Sequence, residues 1–167
     1  MFTIRPAIYS DLDTIVGILR EASLWLLGRG IRQWLPEHVV ERDIAHSIAR
    51  GEFYLAEIGG EAAGTFKLQW RDPAVWPDAL DDAVYIHALA IRRAHAGRKL
   101  GLASLDWAAA KGAEAGRPFL RLDCMAENEA LCRYYREAGF IERGIREAYS
   151  HRLDVHWRAR MFERGTL

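Results

Sequence analysis

The stretch AVYIHALAI at 83–91 is apolar at nearly every position. A run of this length without alternation reads as a central strand buried on both faces. It is followed by RRAHAGRKLG (92–101), a basic turn containing glycine, and then by a helical segment running to about Ala115 and stopped by Gly116. A helix N-terminus offers backbone N–H groups with no helical acceptor and a partial positive charge. Glycine lets those amides come close to a phosphate. With Arg92, Arg93, Arg98 and Lys99 in the same turn, the segment reads as a pyrophosphate site. The same residues also fit a solvated basic loop.

The rest of the chain arranges itself around this unit. FTIRPA (2–7) is a short extended start. Leu12, Ile15, Val16 and Leu19 recur at i, i+3, i+4 and i+7, so 11–27 reads as an amphipathic helix with Ser10 or Asp11 as N-cap and Gly28 and Gly30 at its end. IRQWLPE (31–37) is a loop. Val40, Ile44 and Ile48 mark a second helix, about 37–50. FYLAEI (53–58), Gly59-Gly60 and EAAGTFKLQW (61–70) read as a hairpin with a tight primed turn. Residues 71–82 read as a loop. PFLRLDC (118–124) is another strand, Asn128 caps a helix closing at Gly139, and 140–149 and 153–163 are two further strands. The order β-α-α-β-β-β-α-β-α-β-β is that of a mixed α/β chain.

Its 167 residues read as one domain, 1–167, since a chain of about 150 residues buries roughly 68–70% of its unfolded surface. With 23 basic and 23 acidic side chains the net charge is zero, which points away from nucleic acid and from a polybasic membrane contact. No apolar run spans a bilayer, and MFTIRPAIYSDLD lacks the apolar stretch of a signal peptide. Cys124 and Cys132, the two cysteines, then read as reduced thiols in a cytoplasm. No His/Cys/Asp/Glu cluster with ligand spacing suggests a metal.

Strand, basic glycine turn, helix, strand, and an Asn-capped helix with Tyr before Gly-Phe together resemble the GNAT N-acetyltransferase family. The family's turn is Gln/Arg-x-x-Gly-x-Gly/Ala, and AGRKLG (96–101) matches it at Gly101, with Ala96 and Lys99 as departures. A side chain at 99 is compatible with the turn if its φ is negative, and its ammonium could add a contact to phosphate. NEALCRYYREAGF (128–140) matches the second half through Asn128 and Tyr135, four residues before Gly139-Phe140. Leu131, Tyr135 and Ala138 share a helical face, and Tyr134 points about 100° away from it.

The resemblance implies a central, mostly antiparallel, splayed sheet of about 6–7 strands flanked by about four helices. It implies acetyl-CoA as co-substrate, with the pyrophosphate on Gly97, Arg98, Lys99, Leu100, Gly101 and Leu102 and the pantetheine arm along Leu89, Ala90 and Ile91, and it gives Asn128 a place in the same site. Tyr135 would protonate the departing thiolate. Family members often carry a carboxylate on the central strand as base, and 84–91 has none. Tyr85 and His87 share a face of that strand. Imidazole titrates near neutrality, so His87 reads as a base or as a packed strand residue, with a water chain or Asp123 as alternatives. Cys124 has no partner signature for a nucleophile. Trp34, Trp70 and Trp76, with Tyr85, fall where an acceptor wall would form, by cation–π contact or apolar area, and each also fits plain packing.

Two functions follow from these readings. One is transfer of acetyl from acetyl-CoA to an amine, most simply a small-molecule amine, by direct attack. The other is an acyl-CoA-binding regulatory module without turnover, prompted by Ala96, Lys99 and the missing strand carboxylate. A Rossmann nucleotide binder is excluded by the lack of GxGxxG after a first strand. A homodimer remains open.

Overall fold

The computed structural model describes residues 1–167. Seven strands and four α-helices follow the expected order: β1 (Phe2–Pro6), α1 (Leu12–Gly28), α2 (Glu41–Ala49), β2 (Phe53–Ile58), β3 (Glu61–Gln69), β4 (Ala83–Ile91), α3 (Leu100–Glu114), β5 (Phe119–Met125), α4 (Glu129–Glu137), β6 (Ile141–Ser150) and β7 (Val155–Gly165). The chain forms two compact units, 1–68 with 88–105 and 69–87 with 106–167.

In the first unit β2 lies between β1 and β3, antiparallel to both. Gly59 and Gly60 take φ of 61° and 87° in the β2–β3 turn, the positive pair a primed two-residue turn requires. The apolar stripe of α1 (Ile15, Val16, Ile18, Leu19) and that of α2 (Ile44, Ile48) are buried with Phe53 and Leu55 of β2. Each such side chain contributes about 1.5–3 kcal/mol on burial. Two helix starts differ from the sequence expectation. Asp11 precedes α1 but makes no cap hydrogen bond. Its carboxylate instead accepts from Arg5 at 2.7 and 3.0 Å and from the Ile8 amide at 2.8 Å, and Arg5 holds its pKa below the usual aspartate range. The second helix begins at Glu41 rather than 37 because Pro36–His38 form a separate 3-10 turn.

In the second unit β7 lies between β5 and β6, antiparallel to both. The first half of β4 runs parallel to β5 through three pairs only, Ala83–Phe119, Val84–Leu120 and Tyr85–Arg121. The ladder stops there, although β4 and β5 have nine and seven residues. The sheet order is β1-β2-β3-β4-β5-β7-β6, mostly antiparallel with its parallel central pair parting after Tyr85, as the splayed GNAT architecture requires. The part of α3 beyond Asp106 approaches β4 closely. A Cβ on Gly112 would lie 2.7 Å from Val84 Cγ1, so only glycine fits there. No helix is long and apolar enough to cross a membrane.

Candidate functional site

β4 changes character at its middle. Ala83 to Ile86 are buried, whereas His87, Ala88 and Leu89 are partly exposed, and Ala88 adopts φ of 51°. A positive φ at a residue with a Cβ is uncommon and costs of order 1–3 kcal/mol. It breaks the strand's regular alternation directly between His87 and Leu89. On the far side of the break, β3 approaches Ala90 and Ile91. A Cβ on Gly64 would sit 2.6 Å from Ile91 Cδ1 and 2.9 Å from the Ala90 carbonyl.

The turn after β4 is exposed from Ala96 to Lys99. Gly97 takes φ of 78° and Lys99 φ of 59°. The sequence reading required a negative φ at 99, and the left-handed value found there corrects it. Lysine occupies a position whose backbone favours glycine, because a Cβ in this region crowds the next carbonyl. Lys99→Gly is therefore expected to raise stability by about 0.5–1 kcal/mol, the strain relieved outweighing the entropy glycine adds to the unfolded chain. Denaturant unfolding measures it, and a lower midpoint in the variant would refute the strain argument. The Ala103 amide donates to Lys99 O at 3.0 Å, so Leu100, Gly101 and Leu102 form the first turn of α3. Their N–H groups have no helical acceptor and are free for an anion.

In the second unit three polar side chains meet that lie far apart in sequence. His87 Nε2 is 3.8 Å from Asp72 Oδ2. Ligand atoms of Asp72, His87 and Asp123 all lie within 4.8 Å of one another. Trp157 Nε1 donates to Asp123 Oδ2 at 3.2 Å. Asp72 Oδ2 and His87 Nε2 are buried and have no hydrogen-bond partner in the protein. Burial first, and then the neighbouring Asp72 charge, push the Asp123 carboxyl above the usual aspartate range, while His87 and the Trp157 N–H pull the other way. The sequence reading found no cluster of metal-ligand type. The structure corrects this: the loop before β4, β4 itself and β5 bring one together. Asp123 was legible as a candidate, whereas Asp72 was missed, since it sat in a loop with no motif around it.

Beside this cluster a cavity of about 200 Å³ is lined by Trp70, Asp72, Trp76, Leu80 and Tyr85, among others. Tyr85 and Trp76 are tilted at 6.3 Å, and the Tyr85 hydroxyl accepts from Arg121 at 3.1 Å. Trp70 and Trp76 therefore line one cavity. Trp34 does not join them: it packs against the core of the first unit with Val39 and Ala88.

Asn128 Oδ1 accepts from the Leu131 amide at 3.2 Å, capping α4 as its sequence predicts. Cys132 and Tyr135 are the buried residues of α4. The Tyr135 ring meets Tyr134 at 5.6 Å, Phe140 at 5.8 Å and Phe162 at 5.6 Å. Burial, then the Cys124 sulfur, raise its phenol well above the ordinary range, so it stays a hydrogen-bond donor at every working pH. Cys124 and Cys132 have sulfurs 3.5 Å apart. Burial, then Cys132, push the Cys124 thiol far up, which leaves no thiolate for nucleophilic attack.

The model of the acetyltransferase (GNAT) family matches residues 18–140. The N-acetyltransferase YesJ of Bacillus subtilis is 34% identical over 148 residues, which span 81% of this chain and 79% of that protein. A GNAT-family acetyltransferase structure from Listeria monocytogenes superposes with TM-score 0.80 at 26% identity, over 98% of this chain and 94% of that one. YncA from Salmonella typhimurium, solved with its cofactor acetyl-CoA, superposes with TM-score 0.72 at 18% identity, over 100% and 95% of the two chains. With three-quarters of its length under the family model and with the family's turn, capped helix and parted strands in place, the chain belongs to the GNAT acetyltransferase family.

Proposed function

We propose that the enzyme transfers acetyl from acetyl-CoA to a small-molecule amine by direct attack, with His87 as general base. The observation that carries this reading is His87 meeting Asp72 and Asp123 immediately before the break in β4. Those two residues supply from outside the strand the carboxylates that 84–91 lacks, which favours a catalytic centre over a regulatory acyl-CoA module. The acetyl-CoA bound to the similarly folded YncA supports the same co-substrate here.

In this reading the amides of Gly97 to Leu102, with Arg98 and Lys99, hold the pyrophosphate. The pantetheine arm pairs with the backbone of Leu89, Ala90 and Ile91 as an added strand. An N–H near Leu89 polarises the thioester carbonyl and stabilises the oxyanion. His87 takes a proton from the acceptor ammonium. The freed lone pair forms the C–N bond, the adduct nitrogen gives up its second proton as the C–S bond breaks, and that proton reaches the departing thiolate through the Tyr135 hydroxyl. The net products are the N-acetyl amine and the CoA thiol. Asn128 acts by capping the helix that carries Tyr135. Trp70, Trp76 and Tyr85 form the acceptor cavity, and Trp34 stays structural.

A thiol-release assay across an amine panel tests the reading, and acetyl-CoA binding without release for any amine would refute it. Tyr135→Phe is expected to lower kcat about 100-fold, the low end for a general acid because a thiolate leaves readily, with KM for acetyl-CoA unchanged. Full activity in this variant would remove Tyr135 from the mechanism.

A further inference from the structure

We infer that Glu21, on α1, is a positioning residue for the turn after β4: together with Trp25 it grips Arg93, and so fixes the amides of Gly97 to Leu102 in the arrangement that receives a pyrophosphate. The inference rests on the cofactor placement proposed above and adds to it a residue 72 positions away in sequence.

Glu21 and Trp25 stand four residues apart in α1 and therefore share one face of the helix. Glu21 Oε1 accepts the Arg93 backbone N–H at 3.1 Å. Its Oε2 lies 3.5 Å from Arg92 Nη1. One helical turn on, the Arg93 guanidinium carbon sits 4.1 Å from the centre of the Trp25 ring, and that of Arg29 sits 4.5 Å from it. The backbone and the side chain of one residue are thus held by successive turns of one helix. The Glu21–Arg92 ion pair is 34% exposed on both sides and contributes little by itself. The bond from the Arg93 amide to a carboxylate is charge-assisted and directional, so it carries the grip.

Arg93 is also the residue at which the chain leaves the sheet. One position earlier, Arg92 is fastened to β3: its N–H donates to the Ala63 carbonyl at 2.9 Å and its Nε to the Ala62 carbonyl at 3.1 Å. The Arg93 N–H turns to α1 instead. The carbonyls of Arg92 and Arg93 then accept from the His95 and Ala96 amides at 2.9 and 3.1 Å, which closes the base of the turn. Above that base, Gly97 to Lys99 are exposed, and Gly97 and Lys99 both take left-handed φ. A strained apex keeps its shape only while the structure around it over-determines it. Here β3 holds the base on one side and Glu21 on the other. Without Glu21 the apex relaxes in the free chain, and the ligand has to order it again on binding, at the expense of affinity.

Charge does not account for a glutamate at this place. A carboxylate beside a turn that receives pyrophosphate works against the ligand, so its benefit lies in where it holds Arg93. Glutamine at 21 removes the charge and keeps an oxygen that accepts the amide, whereas alanine removes both. Both residues suit a helix interior, so α1 survives either change.

The test uses the full chain with coenzyme A as the probe. Calorimetry is expected to give a Kd about tenfold higher for Glu21→Ala, the equivalent of about 1.4 kcal/mol, and a Kd within about threefold of wild type for Glu21→Gln. In the thiol-release assay KM for acetyl-CoA rises with the Kd of Glu21→Ala while kcat at saturation stays, since His87 and Tyr135 remain in place. Trp25→Leu moves the Kd in the same direction by a smaller factor. An unchanged Kd in Glu21→Ala overturns the inference, whether or not the melting temperature falls, because the residue is then structural only. Equal shifts in Glu21→Ala and Glu21→Gln overturn it too, since the effect is then one of charge. If the wild type binds no coenzyme A, the cofactor placement fails, and hydrogen exchange of the free chain decides the grip by itself. Faster amide exchange over 93–102 in Glu21→Ala than in wild type and Glu21→Gln supports it, and equal exchange in all three overturns it.

Discussion

His87→Ala is expected to lower kcat for acetyl transfer by about two to four orders of magnitude, the usual contribution of a positioned general base. KM for acetyl-CoA stays unchanged, because the groups assigned to the cofactor are the backbone of 89–91, the amides of 97–102 and the side chains of Arg98 and Lys99, none of them supplied by His87. The fold tolerates the change, since the His87 ring is part-exposed and its Nε2 makes no hydrogen bond within the protein. A melting temperature near that of wild type therefore accompanies the loss. The activity loss should shrink as pH rises, because more of the free amine then reaches the site without needing a base. A kcat within a few-fold of wild type at neutral pH would assign proton removal elsewhere, to a water chain or to Asp123.

Arg121→Met is expected to lower stability by about 3 kcal/mol, the low end for removing one partner of a buried pair. For a chain of this size that is about 6–12 °C in melting temperature. The Arg121 side chain is 9% exposed and that of Glu163 is 8%. Arg121 donates to Glu163 at 2.7 Å, to Asp82 at 2.7 and 3.3 Å and to the Tyr85 hydroxyl at 3.1 Å. Its guanidinium also lies 4.8 Å from the centre of the Trp76 ring. Burial works against this charge, but Tyr85, Asp82 and Glu163 outweigh it and keep the guanidinium firmly protonated. Removing it strands Glu163, with only the half-exposed Arg143 left as partner. It also frees Tyr85 and Trp76, which line the cavity proposed for the acceptor, so KM for the amine is expected to rise together with the loss of stability. Adding Glu163→Leu to Arg121→Met is expected to recover part of the stability, since the orphaned charge goes with it. Thermal melts of the three variants measure the cycle. A single variant melting within about 2 °C of wild type would show that solvent reaches the network and screens it.

Where the chain's local chemistry was decisive, the sequence was readable. The 3.6-residue period of Ile15, Val16 and Leu19 marks α1, and the glycine pair 59–60 marks the hairpin. Asn128 marks the cap of α4, and the uninterrupted apolar run 83–91 marks the central strand. Each signal is set by neighbours within a few residues, through backbone geometry or one local hydrogen bond. The turn at 96–101 was legible for the same reason, apart from Lys99, whose positive φ follows from how the turn enters α3 rather than from the residue itself. Asp11 was legible as a helix boundary but not as the partner of Arg5, because that bond depends on how the chain turns between β1 and α1.

The composition of the acidic and aromatic site was decided by tertiary structure. Asp72 stands in a loop fifteen residues before His87, and Asp123 on a strand thirty-six residues after it, and no periodicity links them. They meet because β4 and β5 pair in parallel from Ala83–Phe119 to Tyr85–Arg121, which brings His87 near Asp123, and the loop ahead of β4 adds Asp72 to them. Such pairing is fixed by the burial of whole strands, a sum over many residues that no short spacing records. The central strand and its basic glycine turn were thus determined by the sequence alone. The two carboxylates that turn the histidine of that strand into a candidate base became visible only once the sheet had formed.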